Sequence, residues 1–113
     1  MSDIIGKWIQ MEGQPYQGLW FEFTSDGTFE AQYQPMGIVS SGTYQVQDDQ
    51  IDMHQTAHTL GMVGEFKGRY TINRDQLKMA LAAGPGLERP KDLSEARIYQ
   101  KKLDHRWNEH AKK

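Results

Sequence analysis

Histidines, a scatter of acidic residues and a set of polar-tipped aromatics are the side chains in this chain with chemistry to offer. His54 and His58 stand four apart, a spacing that on a helix would bring two imidazoles to one metal ion. Their surroundings read as extended chain, where four residues span about 13 Å at roughly 3.3 Å each. That is too far to share an ion, and alternation turns both outward, opposite Met53 and Gln55. His105 and His110 are five apart, off a common helical face. No metal site and no cofactor are therefore expected. Asp26, Asp48, Asp49, Asp52 and Asp75 fall at turns or on outward faces, where an aspartate bonds nearby backbone N–H groups. Paired-carboxylate catalysis needs two such groups facing one pocket, and the alternation does not supply that. The chain has no Gly-x-Ser-x-Gly elbow, no phosphate loop and no nucleophile with an obvious base.

Tyr33, Tyr44, Tyr70 and Gln55 carry more information, because all four fall on inward-facing positions. A buried hydroxyl or amide must find a partner, which is backbone, water, another side chain or a ligand. Met53, Phe66 and Met79 share that inward face and either line a pocket or fill a core, with Met62 a further candidate. An apolar pocket with a few polar anchors is how small-molecule sites are built. Arg89, before Pro90 in a long irregular stretch, would offer a cation to a ligand carboxylate at the pocket mouth. The plainer reading pairs it with Glu88, Asp92 or Glu95 to pin the loop.

The elements that must position these residues are strands. A twelve-residue phrase occurs twice, at 42–53 and 68–79, matching at Gly42/Gly68, Tyr44/Tyr70, Val46/Ile72, Asp49/Asp75, Gln50/Gln76, Ile51/Leu77 and Met53/Met79. Each copy is strand, polar turn, strand, the signature of a β-hairpin. Similar alternation predicts strands near 7–12, 19–24, 40–47, 50–56, 65–72, 76–81 and 96–101, with a further one after the Ser25-Asp26-Gly27 turn. Residues 57–64 read as a loop or a bulged strand start, 82–95 as the longest irregular stretch, and 103–113 as a tail or short helix. In the tail, Leu103, Trp107 and Ala111 would share one stripe. Eight short strands with tight connections predict an all-β, antiparallel up-and-down barrel over 1–102, which leaves no sheet edge, with a two-sheet sandwich as runner-up.

The totals agree. A chain of 113 residues makes one domain. Hydrophobic content of 37% with 11% aromatics suits strands with one wet face and one face of large side chains. A net charge of −2 argues against a nucleic-acid surface, which needs a basic excess. With no cysteine, the fold depends on no disulfide. No apolar run is long enough to span a bilayer or serve as a signal peptide, so a cytoplasmic location is the default.

Gly6-x-Trp8, the Asp26-Gly27-Thr28-Phe29 turn, the Gly-x-Tyr hairpins and Arg89-Pro90 together resemble the small bacterial lipocalin-like domains, calycin-type barrels that are mostly uncharacterised. The resemblance covers about residues 5–102. It implies that Trp8 plugs a closed end beneath a basic residue from the last strand, Arg97 or Lys101. It also implies a pocket for a small apolar molecule at the other end.

On the outside, Ile9, Met11 and Trp20 would form an apolar patch suited to a homodimer, unless Leu103 and Trp107 of the tail cover it. Three readings follow. The first is a barrel binding a small hydrophobic or aromatic molecule. The second is a filled barrel that assembles through its outer patch. The third is an enzyme using an interior tyrosine as acid, which rests on fold analogy alone and finds no inward histidine.

Overall fold

The computed structural model describes residues 4–82 and 84–102. The stretch 103–113 lies outside the described residues, and with it the expected tail or helix and its histidines. Eight strands follow one another: β1 (Gly6–Gln10), β2 (Trp20–Phe23), β3 (Thr28–Tyr33), β4 (Ile38–Gln47), β5 (Gln50–His58), β6 (Gly64–Asn73), β7 (Gln76–Leu81) and β8 (Arg97–Lys102). Each pairs antiparallel with its sequence neighbour, and β8 pairs back onto β1 to close the barrel. The up-and-down barrel is therefore the fold, and the sandwich is set aside.

Alternation places the large apolar side chains inside, as the period of two requires. Trp8, Phe23, Phe29, Ile51, Leu77 and Met79 are among the fully buried side chains. Phe23 meets Tyr44 edge to face at 4.9 Å, and Phe21 meets Tyr99 likewise at 5.8 Å. Strand β5 runs further than its alternation suggests, because Ala57 and His58 pair with Ser41 and Ser40. The register slips by one between Ser41 and Gly42, leaving Thr56 as a bulge whose hydroxyl donates to the Ser41 carbonyl.

The repeated phrase has a structural meaning. A Cβ on Gly42 would stand 1.9 Å from the His54 carbonyl oxygen, and one on Gly68 would stand 2.6 Å from that of Ala80. Each glycine lets the returning strand of its own hairpin approach closely. The following tyrosines are also equivalent: the Tyr44 N–H donates to the Gly27 carbonyl and the Tyr70 N–H to that of Asp49. Each copy is thus stitched to the turn of the preceding hairpin. The two-residue turns at 48–49 and 74–75 both place their first residue at positive φ, Asp48 at 56° and Arg74 at 60°.

The registers give the barrel two unlike ends. At one, short polar turns join β2 to β3, β4 to β5 and β6 to β7. The first of these is held by the Asp26 carboxylate, which accepts from the hydroxyls of Thr24 and Thr28. Those bonds, with Thr24 first, hold the Asp26 pKa below its ordinary value. At this end Trp8 donates its indole N–H to the Ile4 carbonyl at 2.8 Å. The Lys101 ammonium lies 5.2 Å from the Trp8 ring and donates to the Ile5 carbonyl. Lys101, rather than Arg97, covers the tryptophan. The other end carries the longer connections after β1, β3, β5 and β7.

Both close-approach glycines should resist any side chain. We expect Gly42→Ala and Gly68→Ala each to cost about 1–3 kcal/mol through forced backbone shifts, read from denaturant midpoints. Alanine at the surface turn residue Gly86, where a Cβ meets nothing within 4 Å, controls for general glycine effects and carries only the positive-φ strain.

Candidate functional site

A cleft of about 810 Å³ opens at the end opposite Trp8, between β1, β2, β7, β8 and the β7–β8 loop. Its deepest lining, Gln10, Phe21, Met79 and Tyr99, is almost wholly buried. Leu19 and Leu81 extend the apolar wall, and Glu88, Lys91, Asp92, Glu95 and Arg97 stand around the rim.

A polar relay crosses the apolar lining. The Gln10 side-chain amide donates from Nε2 to the Tyr99 hydroxyl at 3.2 Å, and its Oε1 accepts the Tyr16 backbone N–H at 2.6 Å. The backbone contact orients the amide, so Tyr99 must act as the acceptor. Gln10 also ties down the loop after β1, since its N–H donates to the Leu19 carbonyl and its carbonyl accepts from Gly18. The hydroxyl proton of Tyr99 has no acceptor among the described residues. Burial pushes the Tyr99 phenol up to about 12, against the smaller opposing influences of Gln10 and the nearby Arg97. It therefore remains a donor at every physiological pH.

Of the ligand-binding candidates named from the sequence, Met79 alone lines this cleft. Tyr44 and Met53 are buried in the core, and the Tyr44 hydroxyl donates to the Thr24 carbonyl at 2.7 Å. Phe66 and Tyr70 are partly buried and pack against the same core. Tyr33 sits half-buried near the open end, edge-on to Tyr16 at 5.7 Å. Gln55, also half-buried, donates to the Met62 carbonyl at 2.6 Å. Tyr44 thus satisfies its hydroxyl on the backbone and Tyr33 packs its ring on a neighbour, and none of the three tyrosines lines the cleft. His58 accepts the Leu60 N–H on Nδ1, a turn contact.

Arg89 lies against the outer wall, outside the cleft lining. Its guanidinium donates to the Ile51 and Gly68 carbonyls at 3.2 and 2.9 Å and to the Asp52 carboxylate at 2.7 Å. Beside it, Arg69 Nε donates to the Pro90 carbonyl at 2.7 Å. Arg89 is therefore a clamp for the β7–β8 loop, with Asp52 as partner in place of the loop acids that its sequence neighbourhood suggests. Ile9, Met11 and Trp20 face outward and are half-buried. The Lys7 ammonium stands 3.9 Å over the Trp20 ring, and the Met11 sulfur accepts from Gln76.

Gln10 and Tyr99 are absent from the sequence expectations. Their signal is parity alone: Gln10 follows Trp8 by two, and Tyr99 lies midway between Arg97 and Lys101 on one strand face. Compared with protein-family models, curated proteins and solved structures, the chain matches none. The geometry is thus the ground on which function has to be argued.

The clamp and the phenol each give an expectation. Arg89→Ala should release the β7–β8 loop, raising its hydrogen-exchange and protease sensitivity, and cost about 1.5–3 kcal/mol for a lost charged hydrogen-bonding set. Tyr99 governs an alkaline effect. Above the ordinary phenol value of 10.0 the unfolded chain loses this proton, while the folded chain keeps it to about 12. Stability contributed below pH 10 is therefore lost between pH 10 and about 12. Unfolding curves should show a shallower decline across that window in Tyr99→Phe than in the unaltered chain. Tyr44, raised chiefly by burial, adds a decline of the same sign in both proteins.

Proposed function

We propose that this chain is a lipocalin-like, calycin-type barrel that takes a small apolar or aromatic molecule into the cleft at its open end. The observation that carries the reading is the cleft itself. Its volume of about 810 Å³ is walled by Leu19, Phe21, Met79 and Leu81 and crossed by the Gln10–Tyr99 pair. Small-molecule sites typically enclose about 300–1,000 Å³ with an apolar lining and a few placed polar groups. Water against such a wall is poorly bonded, so an apolar ligand that displaces it gains the free energy of burying surface, roughly 25 cal/mol per Å².

Further support comes from the opposite end. Trp8 beneath Lys101, with Gly6 leaving room for the lysine stem, is the arrangement that the resemblance implies for the closed end. The cleft then falls where such barrels open. Assembly through Ile9, Met11 and Trp20 has less support, because those side chains are already half covered by their own chain.

The test is a titration of uncharged apolar probes, an alkyl alcohol series and naphthyl methanol, followed by calorimetry. We expect saturable binding, weakened about tenfold or more in Leu19→Trp, where the larger ring fills the cleft mouth while far-ultraviolet circular dichroism stays unchanged. Absence of binding by every probe would remove this reading.

A further inference from the structure

We propose that the open end carries an uncharged apolar crest that docks on the surface of a phospholipid bilayer. The inference goes beyond the cleft reading and does not depend on it.

The crest is where this chain leaves large apolar side chains in water. Among the described residues Met36, Val39, Leu60, Met62, Val63 and Leu87 are between 41% and 66% exposed, all on the open-end connections or their margins. Apolar side chains left bare together mark an interaction surface. Three connections are knitted into it. The Thr59 N–H donates to the Val39 carbonyl, and the Thr59 hydroxyl accepts from the Val39 N–H. The Gly86 N–H donates to the Glu65 carbonyl, and Pro85 lies so close to Gly64 that a Cβ there would stand 2.7 Å from it. Leu87 follows directly on that contact.

Charge narrows the partner. No Asp, Glu, Lys or Arg occurs in 31–47 or 53–64, the stretches that carry all of the crest except Leu87. The charges of this end stand around the cleft instead, on Glu88, Lys91, Asp92, Glu95 and Arg97. A charged partner set on the crest would lose its hydration and find no counter-charge in return. A surface with hydrocarbon beneath it loses nothing.

The backbone supplies an independent ground. A turn that enters lipid must satisfy its own polar groups, because no water is there to do so. At the β5–β6 tip the Thr59 N–H reaches Val39, those of Leu60 and Gly61 reach Nδ1 and the carbonyl of His58, and that of Val63 reaches Gly61. The Met62 carbonyl accepts from the Gln55 amide, and at the β3–β4 tip the Gly37 N–H donates to Gln34. The tips can leave water with these groups already paired. Tyr33, which enters the β3–β4 tip, holds Tyr16 edge-on at 5.7 Å. Amphipathic rings of this kind favour the membrane–water boundary.

Two other occupants fit less well. The stretch 103–113 starts after Lys102, which pairs with Lys7 at the sealed end. Ten-residue β4 spans about 33 Å between the two ends, and 103–113 fully extended reaches roughly 36 Å. Covering the crest would therefore take nearly all of its length. A second copy would set one rim of turn tips against another of the same shape, where a two-fold interface needs a self-complementary one.

The experiment is flotation of the full chain with phosphatidylcholine vesicles, with and without phosphatidylserine. We expect the chain to float with both compositions, and 0.5 M salt to leave this unchanged, since the crest offers no cation to screen. Leu60→Asp and Leu87→Asp should each weaken partitioning about tenfold or more, and Leu60→Trp should preserve or strengthen it. Gln100→Asp, on the exposed outside of β8, adds the same charge away from the crest and should change little. Absence of flotation by the unaltered chain would overturn the proposal. So would binding that requires phosphatidylserine, or binding that both crest aspartates leave intact. Self-association abolished by Leu60→Asp, without vesicle binding, would reassign the crest to a second copy. None of these outcomes bears on the cleft, which the uncharged probes test separately.

Discussion

The structure depends on how Trp8 is seated. A closed barrel of short strands has no edge, but it has two ends, and each must be sealed or left open. Trp8 is wholly buried, bonded through its indole N–H to Ile4 and covered by Lys101. The same lysine donates to Ile5, so one side chain from the last strand fixes the chain entering the first. Closure of the sheet, by pairing β1 with β8, and closure of the end are thus the same event. Gly6, at a φ of 133°, is where a side chain would collide with the lysine stem.

Sealing one end makes the two ends chemically different. The sealed end carries two-residue or similarly short polar turns, which need no support from the core. The open end carries longer connections, and three tethers tie them down. Gln10 holds the loop after β1, Thr59 bonds Val39 across the β4–β5 margin, and Arg89 clamps the loop after β7 to the outside of β5 and β6. Among the described residues the exposed large apolar side chains, such as Val39, Leu60, Val63 and Leu87, all belong to this end. The most exposed large apolar side chains among the described residues therefore gather at the end where the cleft lies.

Much of this architecture was legible in advance because it follows from local rules. The period of two marked β6 and β7, and the duplicated phrase marked two hairpins whose close-approach glycines and stitched tyrosines prove equivalent. Local rules do not say which inward side chains share a space. Tyr33, Tyr44, Tyr70 and Gln55 all have inward parity, yet they end in separate surroundings because strand tilt and stagger spread them along the barrel axis. Arg89 shows the same limit for a loop: its partner Asp52 lies 37 positions away in sequence, on a strand that nothing nearby points to.

By itself the sequence determined the strand count, the two hairpins and the buried face of most strands. These are properties of a residue and its close neighbours, set by backbone sterics and the alternation of side chains across a pleat. Only the tertiary structure decided that Lys101 covers Trp8, that Arg89 binds the outer wall, and that Gln10 bonds Tyr99 in a cleft lined by Phe21 and Met79. The Gln10–Tyr99 bond joins the first and last strands across 89 positions, and closure of the ring is what brings them together.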